Sequence, residues 1–108
     1  MAASYRVTRT NANCKVSLSG ALTAILVPEL KEALRRELQQ ETRELVFDLE
    51  ETTMLDSSGI GLLIATSNSL SRKGATLRVI NPVHEIYELL GHMRLVTRLN
   101  VQASAEHR

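Results

Sequence analysis

The sequence predicts an α/β fold in which a mixed β-sheet, an N-terminal hairpin followed by parallel strands, packs against α-helices. Three observations carry that prediction. Tyr5 to Thr10 and Cys14 to Ser19 alternate bulky and polar side chains on either side of the turn-prone Asn11-Ala12-Asn13, as a hairpin does. Two later strand-like runs, Glu44 to Leu49 and Thr76 to Ile80, alternate with stretches of helical periodicity, the pattern of strand-helix-strand units with parallel crossovers. Each helical stretch has a single fully apolar stripe, so it needs one surface to lie on, and the sheet supplies it.

In chain order, Gly20 is expected to break the second strand, and Ala21 to Val27 lead into Pro28, a residue favoured where a helix begins because its missing N–H is not needed there. From Pro28 to about Gln40 the apolar residues Leu30, Ala33, Leu34 and Leu38 recur at helical spacing. Lys31, Glu32, Arg35, Arg36 and Gln39 fill the other side. Glu29, Glu32 and Glu37 interrupt its basic character, so a solvated face is expected rather than a membrane or nucleic-acid surface. Glu44 to Leu49 reads as a mostly buried strand with Asp48 near its end. The second helix is apolar nearly all round at Ile60, Leu62, Leu63, Ile64 and Ala65 and polar in its second half at Thr66, Ser67, Asn68, Ser69, Ser71, Arg72 and Lys73, with Gly74 as its stop. Asn81-Pro82 is expected to start a third helix, with Val83, Ile86, Leu89 and Leu90 inward and Gly91 at its end. His92 to Val96 reads as a turn, and Thr97 to Val101 as a last strand.

The 108 residues, 44% hydrophobic and 23% charged, suit one domain, with a core over about 5–101 and a polar tail, 102–108, frayed from Ala103. A chain of this size buries roughly two-thirds of its unfolded surface, so no disulfide or metal staple is demanded. The single cysteine, Cys14, sits in an alternating run and is expected to be a packed, inert thiol. With a formal charge of +1 and only Tyr5, Phe47 and Tyr87 as aromatics, nucleic-acid binding is not expected. Neither a signal-like start nor an apolar run near the roughly 20 residues of a membrane span is present, so a cytoplasmic protein is expected.

Enzyme motifs are missing. Gly59-Ile60-Gly61 lacks the third glycine of a dinucleotide fingerprint, no Gly-Lys-Ser or Gly-Lys-Thr forms a phosphate loop, and no glycine precedes Ser57 or Ser58 at nucleophile-elbow spacing. His84, His92 and His107 form no i, i+4 metal pair, and no cofactor is implied. The notable stretch is Asp56-Ser57-Ser58-Gly59-Ile60-Gly61, a small polar turn between a strand and a helix. One of Asp56, Ser57 and Ser58 is expected to cap the helix, with Gly59 and Gly61 permitting close packing. A second hydroxyl would then point outward, where a kinase could reach it, and a phosphate at a helix N-terminus is well received.

The run from Leu45 to Leu63, with Asp56-Ser57-Ser58-Gly59 at its centre, resembles the signature of the STAS domain, the fold of bacterial anti-sigma factor antagonists. Gly20-Ala21-Leu22, Pro28-Glu29-Leu30, Gly74-Ala75-Thr76-Leu77 and Leu89-Leu90-Gly91 extend the resemblance over about residues 5–101. It implies a binding protein that is not an enzyme, whose partner is an anti-sigma factor doubling as a serine kinase, with a serine phosphatase restoring the unmodified state. The phosphoacceptor it implies is Ser57, with Ser58 the second choice. Asp56, Ser57, Ser58, Gly59, Ile60 and Gly61 are implied to form the docking face. Thr23 belongs to it too, standing where the family often carries an acidic residue. An alternative implied role is a STAS docking subunit of a transporter or stress-sensing complex, without phosphorylation control.

Overall fold

The computed structural model describes residues 3–103. The tail expected from Ala103 onward, and His107 within it, lie almost wholly outside them. Strands β1 (Ser4–Thr10) and β2 (Asn13–Leu22) form the expected antiparallel hairpin, closed by Asn11, at φ 55°, and Ala12. Then come helix α1 (Val27–Glu37), strand β3 (Glu44–Leu55), helix α2 (Ser57–Arg72), strand β4 (Thr76–Ile80), helix α3 (His84–His92) and strand β5 (Val101–Gln102). The sheet order is β1-β2-β3-β4-β5, and β2 to β5 pair in parallel.

Alternation fixes the layers. Cys14, Val16 and Leu18 of β2, Leu45, Phe47 and Leu49 of β3, and Leu77 and Val79 of β4 share one buried cluster with Leu30, Leu34, Leu62, Leu63, Ile86 and Leu90 of the helices. The intervening residues, such as Lys15, Asp48 and Arg78, lie on the opposite, solvated face. There Lys15 Nζ stands 3.5 Å from Asp48 Oδ2 and Arg78 3.4 Å from Glu44 Oε1. Arg9 joins β1 to the end of α1: its guanidinium donates to Glu37 Oε1 and to the carbonyls of Asn11, Glu37 and Glu41, satisfying helix-end acceptors that would otherwise need water.

Several boundaries differ from the sequence expectations, each for a physical reason. Gly20 does not break β2. At φ +83° it bends the strand, the ladder shifts register on either side, and pairing continues to Leu22. β3 runs to Leu55 rather than Leu49, leaving Asp48 mid-strand. Its second half pairs only with β2, so Glu50, Glu51 and Thr53 can stay solvated within a strand. Pro28 is the second residue of α1, which ends at Glu37. α3 starts at His84 because Asn81 takes φ 58° and is tied to the sheet, donating its amide to the Gln102 carbonyl and its side chain to Asp48. Gly91 lies inside α3, and Arg94, at φ 59°, makes the left-handed exit. The last strand is Val101–Gln102. Leu95 and Leu99, both buried, are spaced for a helical turn, and the Leu99 amide donates to the Leu95 carbonyl at 2.9 Å. Gln102, expected in the tail, belongs to that strand.

Candidate functional site at the start of the second helix

β2 and β3 end side by side, with Leu22 opposite Leu55, and the chain passes from Leu55 through Asp56 straight into α2. Carboxyl ends of parallel strands are where α/β sheets present their binding groups. Asp56 is the N-cap, in extended conformation at φ −101° and ψ −176°. Its Oδ1 accepts from the Gly59 amide at 2.9 Å, satisfying one of the donors that a helix start leaves unpaired. Its Oδ2 accepts from the Ala24 amide at 3.0 Å. One carboxylate thus fastens the first turn of α2 to the loop that follows β2.

That loop has a fixed shape. The Thr23 carbonyl accepts from the Leu26 and Val27 amides, both at 3.0 Å, and its hydroxyl accepts from the Ile25 amide at 3.4 Å. Thr23 therefore fills a local turn role that a short carboxylate would also serve. The Asp56 carboxyl is held below its ordinary value of 3.8, chiefly by the Gly59 amide; partial desolvation opposes this, and the Ala24 and Ser58 amides reinforce it.

The sequence left open which of three residues caps α2, and the structure assigns Asp56. The consequence falls on Ser57. It is the first helical residue, it is exposed, and its hydroxyl makes no hydrogen bond among the described residues. Ser58 is half-buried. Gly59 is buried against Leu22, where a Cβ would stand 2.4 Å from the carbonyl oxygen. Gly61, also expected to permit close packing, faces open space, with nothing within 4 Å of a Cβ there. Ile60 is in the core. Of the implied docking residues, then, Ser57 and Gly61 are displayed, Asp56, Ser58 and Thr23 are half-buried, and Gly59 and Ile60 support them from beneath.

The chain belongs to the STAS domain family. A model of the STAS domain matches residues 4–106. An anti-sigma-B factor antagonist of Staphylococcus aureus (strain NCTC 8325 / PS 47) is 30% identical over 80 residues, covering 71% of this chain and 74% of that protein. The solved anti-sigma factor antagonist SpoIIAA in its unphosphorylated form superposes with a TM-score of 0.84 at 17% identity, covering 95% of this chain and 90% of that one. The phosphorylated form of SpoIIAA, described as a Bacillus cell fate determinant, gives a TM-score of 0.77 at 17% identity, over 95% and 93%. At such identity these structures establish the shared fold.

Other features of the STAS domain lie away from this turn. A groove of about 580 Å³ between α1 and α2 has Leu34, Leu38, Leu62 and Ala65 along it and Lys31, Arg35, Arg72 and Lys73 around it, with no carboxylate or imidazole. His84 pairs with Glu88 at 2.8 Å on the exposed side of α3, and His92 ends that helix. Among the described residues no three His, Cys, Asp or Glu side chains converge as a metal site, and no helix is long and apolar enough to cross a membrane. The sequence reading missed two elements: the Asp56–Ala24 tether, which has no sequence signal, and Ile25. A signal for Ile25 existed. Leu26, Leu30 and Leu34 set the apolar stripe leading through α1, and Ile25 falls off it.

Proposed function

We propose that this STAS domain is an anti-sigma factor antagonist that docks through the α2 start onto an anti-sigma factor with serine kinase activity, and that phosphorylation of Ser57 ends the docking. One observation carries the reading: Ser57 is displayed at the first position of a helix whose cap Asp56 already provides. Its hydroxyl makes no hydrogen bond among the described residues. The names of the S. aureus relative and of SpoIIAA, the latter solved with and without phosphate, support the same reading.

The physical consequences follow from charge. Transfer of the γ-phosphoryl group of ATP to Ser57 Oγ, with loss of the hydroxyl proton and departure of ADP, adds about −1.5 to −2 charges. The free amides and dipole at the start of α2 favour an anion, so the fold survives. A docked partner would have to bury that charge beside the ionised Asp56, and an uncompensated buried charge costs roughly 3–5 kcal/mol, about a hundredfold or more in affinity. A serine phosphatase would reset the switch. The domain itself performs no chemistry in this scheme.

The test is incubation with ATP and each serine-kinase anti-sigma factor of the same organism, with the phosphate mapped by mass spectrometry. Label is expected on Ser57, absent from Ser57→Ala, and not moved to the half-buried Ser58. Ser57→Asp is expected to keep its melting temperature and lose partner binding. Absence of label with every such kinase, together with wild-type binding by Ser57→Asp, would leave the docking-subunit role without phosphorylation control as the better account.

A further inference from the structure

The large hydrophobic side chains left exposed among the described residues are Ile25, Met54 and Met93. Single exposed apolar residues are ordinary and carry no meaning alone. Here two of the three stand at one end of the sheet. Met54 lies opposite Ala21 near the carboxyl end of β3, just before Asp56, and Ile25 lies in the loop that leaves β2. That is the end where Ser57 is displayed.

Ile25 is 93% exposed, so it contributes almost nothing to this domain's own core. It is nevertheless held in place. The amide before it, that of Ala24, donates to Asp56, its own amide donates to the Thr23 hydroxyl, and the two amides after it close onto the Thr23 carbonyl. A hydrogen-bonded backbone and a side chain stiff at χ1 leave little further freedom to lose on binding, which is the property of an anchor residue. Because Asp56 holds both the Ile25 loop and the Ser57 helix start, the anchor and the phosphoacceptor keep one relative position.

We infer that Ile25 is the apolar anchor of the docking face and sets affinity for the partner separately from the Ser57 switch. The inference rests on the function proposed above. The partner surface it fits is an apolar pocket beside the mouth of a nucleotide site, since the kinase must seat Ile25 while its ATP γ-phosphate meets Ser57 Oγ. Burial of the anchor is the same in ground and transition states, so it acts on binding and leaves the phosphoryl-transfer step alone.

The experiment measures wild type, Ser57→Asp, Ile25→Ala, Ile25→Val and Met54→Ala side by side against the anti-sigma factors of the same organism by titration calorimetry, with phosphorylation kinetics alongside. Ile25→Ala is expected to weaken binding at least about tenfold and raise the KM for this domain with kcat unchanged, while Ile25→Val stays within about fivefold. Thermal midpoints should not move, as they would for a residue that merely supports the fold. If Ile25→Ala binds within twofold of wild type to a partner that Ser57→Asp no longer binds, the anchor is refuted and the switch stands. If Ser57→Asp binds like wild type while Ile25→Ala is weakened, the switch fails and the anchor stands.

Discussion

Two glycines in the same helix should respond to the same substitution with opposite signs. An alanine at 59 would place its Cβ 2.4 Å from the Leu22 carbonyl oxygen and 2.9 Å from Leu22 Cγ. The oxygen cannot rotate away: Leu22 is paired with Leu55 in the sheet, and the same carbonyl accepts from the Asp56 amide at 3.3 Å. Relief requires the first turn of α2 to lift by about 1 Å from the end of β2, in a core packed like a crystal. Overpacking costs roughly 1–3 kcal/mol, and an immovable partner places Gly59→Ala near the upper end. The better helix propensity of alanine returns about 1 kcal/mol. The net loss is about 2 kcal/mol, or roughly 8–15 °C in melting temperature for a domain near 100 residues. At Gly61 nothing lies within 4 Å of a Cβ, so only the propensity remains and Gly61→Ala should gain about 0.5–1 kcal/mol. Urea unfolding at constant m-value reads both. A Gly59→Ala protein as stable as wild type, or a destabilised Gly61→Ala, would refute the packing argument.

Two further outcomes follow from ionisable groups. Asp56 has a folded-state pKa below its unfolded one, so its stabilisation is present above the ordinary carboxylate range and is lost as pH falls through the depressed value. The urea-midpoint gap between wild type and Asp56→Asn, which keeps a cap oxygen but cannot accept at both positions as an anion, should therefore shrink between about pH 5 and pH 3. A gap that stays constant over that range would contradict it. Cys14 is 1% exposed, and burial, then the nearby Glu37 carboxylate, raises its thiol pKa. Its reaction with a disulfide reagent at pH 8 should wait for unfolding and speed up sharply in denaturant; prompt labelling of native protein would show that the thiol is reachable.

The resemblance carried by Leu45 to Leu63 was enough to name the fold, and the elements with strong local periodicity were legible residue by residue. The β1–β2 hairpin and β4 sit where alternation puts them, and α2 ends in solvent as its polar second half predicts, although Thr66 and Leu70 turn back into the core. Where the reading went wrong, packing that the local pattern does not show overrode the local cue. Gly20 looks like a break until β3 continues beside it. Gly91 looks like a helix end until Arg94 takes the left-handed turn. Thr97 to Val101 looks like a strand until Leu95 and Leu99 turn together into the core.

The site divides the same way. The Asp-Ser-Ser-Gly turn and its place at a helix start follow from composition and spacing, because caps and helix starts are decided by neighbours in sequence. Which of the three residues caps, and so which hydroxyl is spare, depends on the Ala24 amide and the Leu22 carbonyl, more than thirty positions away in the chain. Only when β2 and β3 end side by side do those groups meet Asp56 and Gly59. The sequence alone determined that this protein carries a small polar turn at the start of a helix. The tertiary structure decided that Asp56 is occupied, that the Ser57 hydroxyl has no hydrogen-bond partner among the described residues and that Ile25 follows the Ala24 amide that Asp56 holds, because hydrogen bonds and close contacts between distant segments exist only once the sheet has brought the segments together.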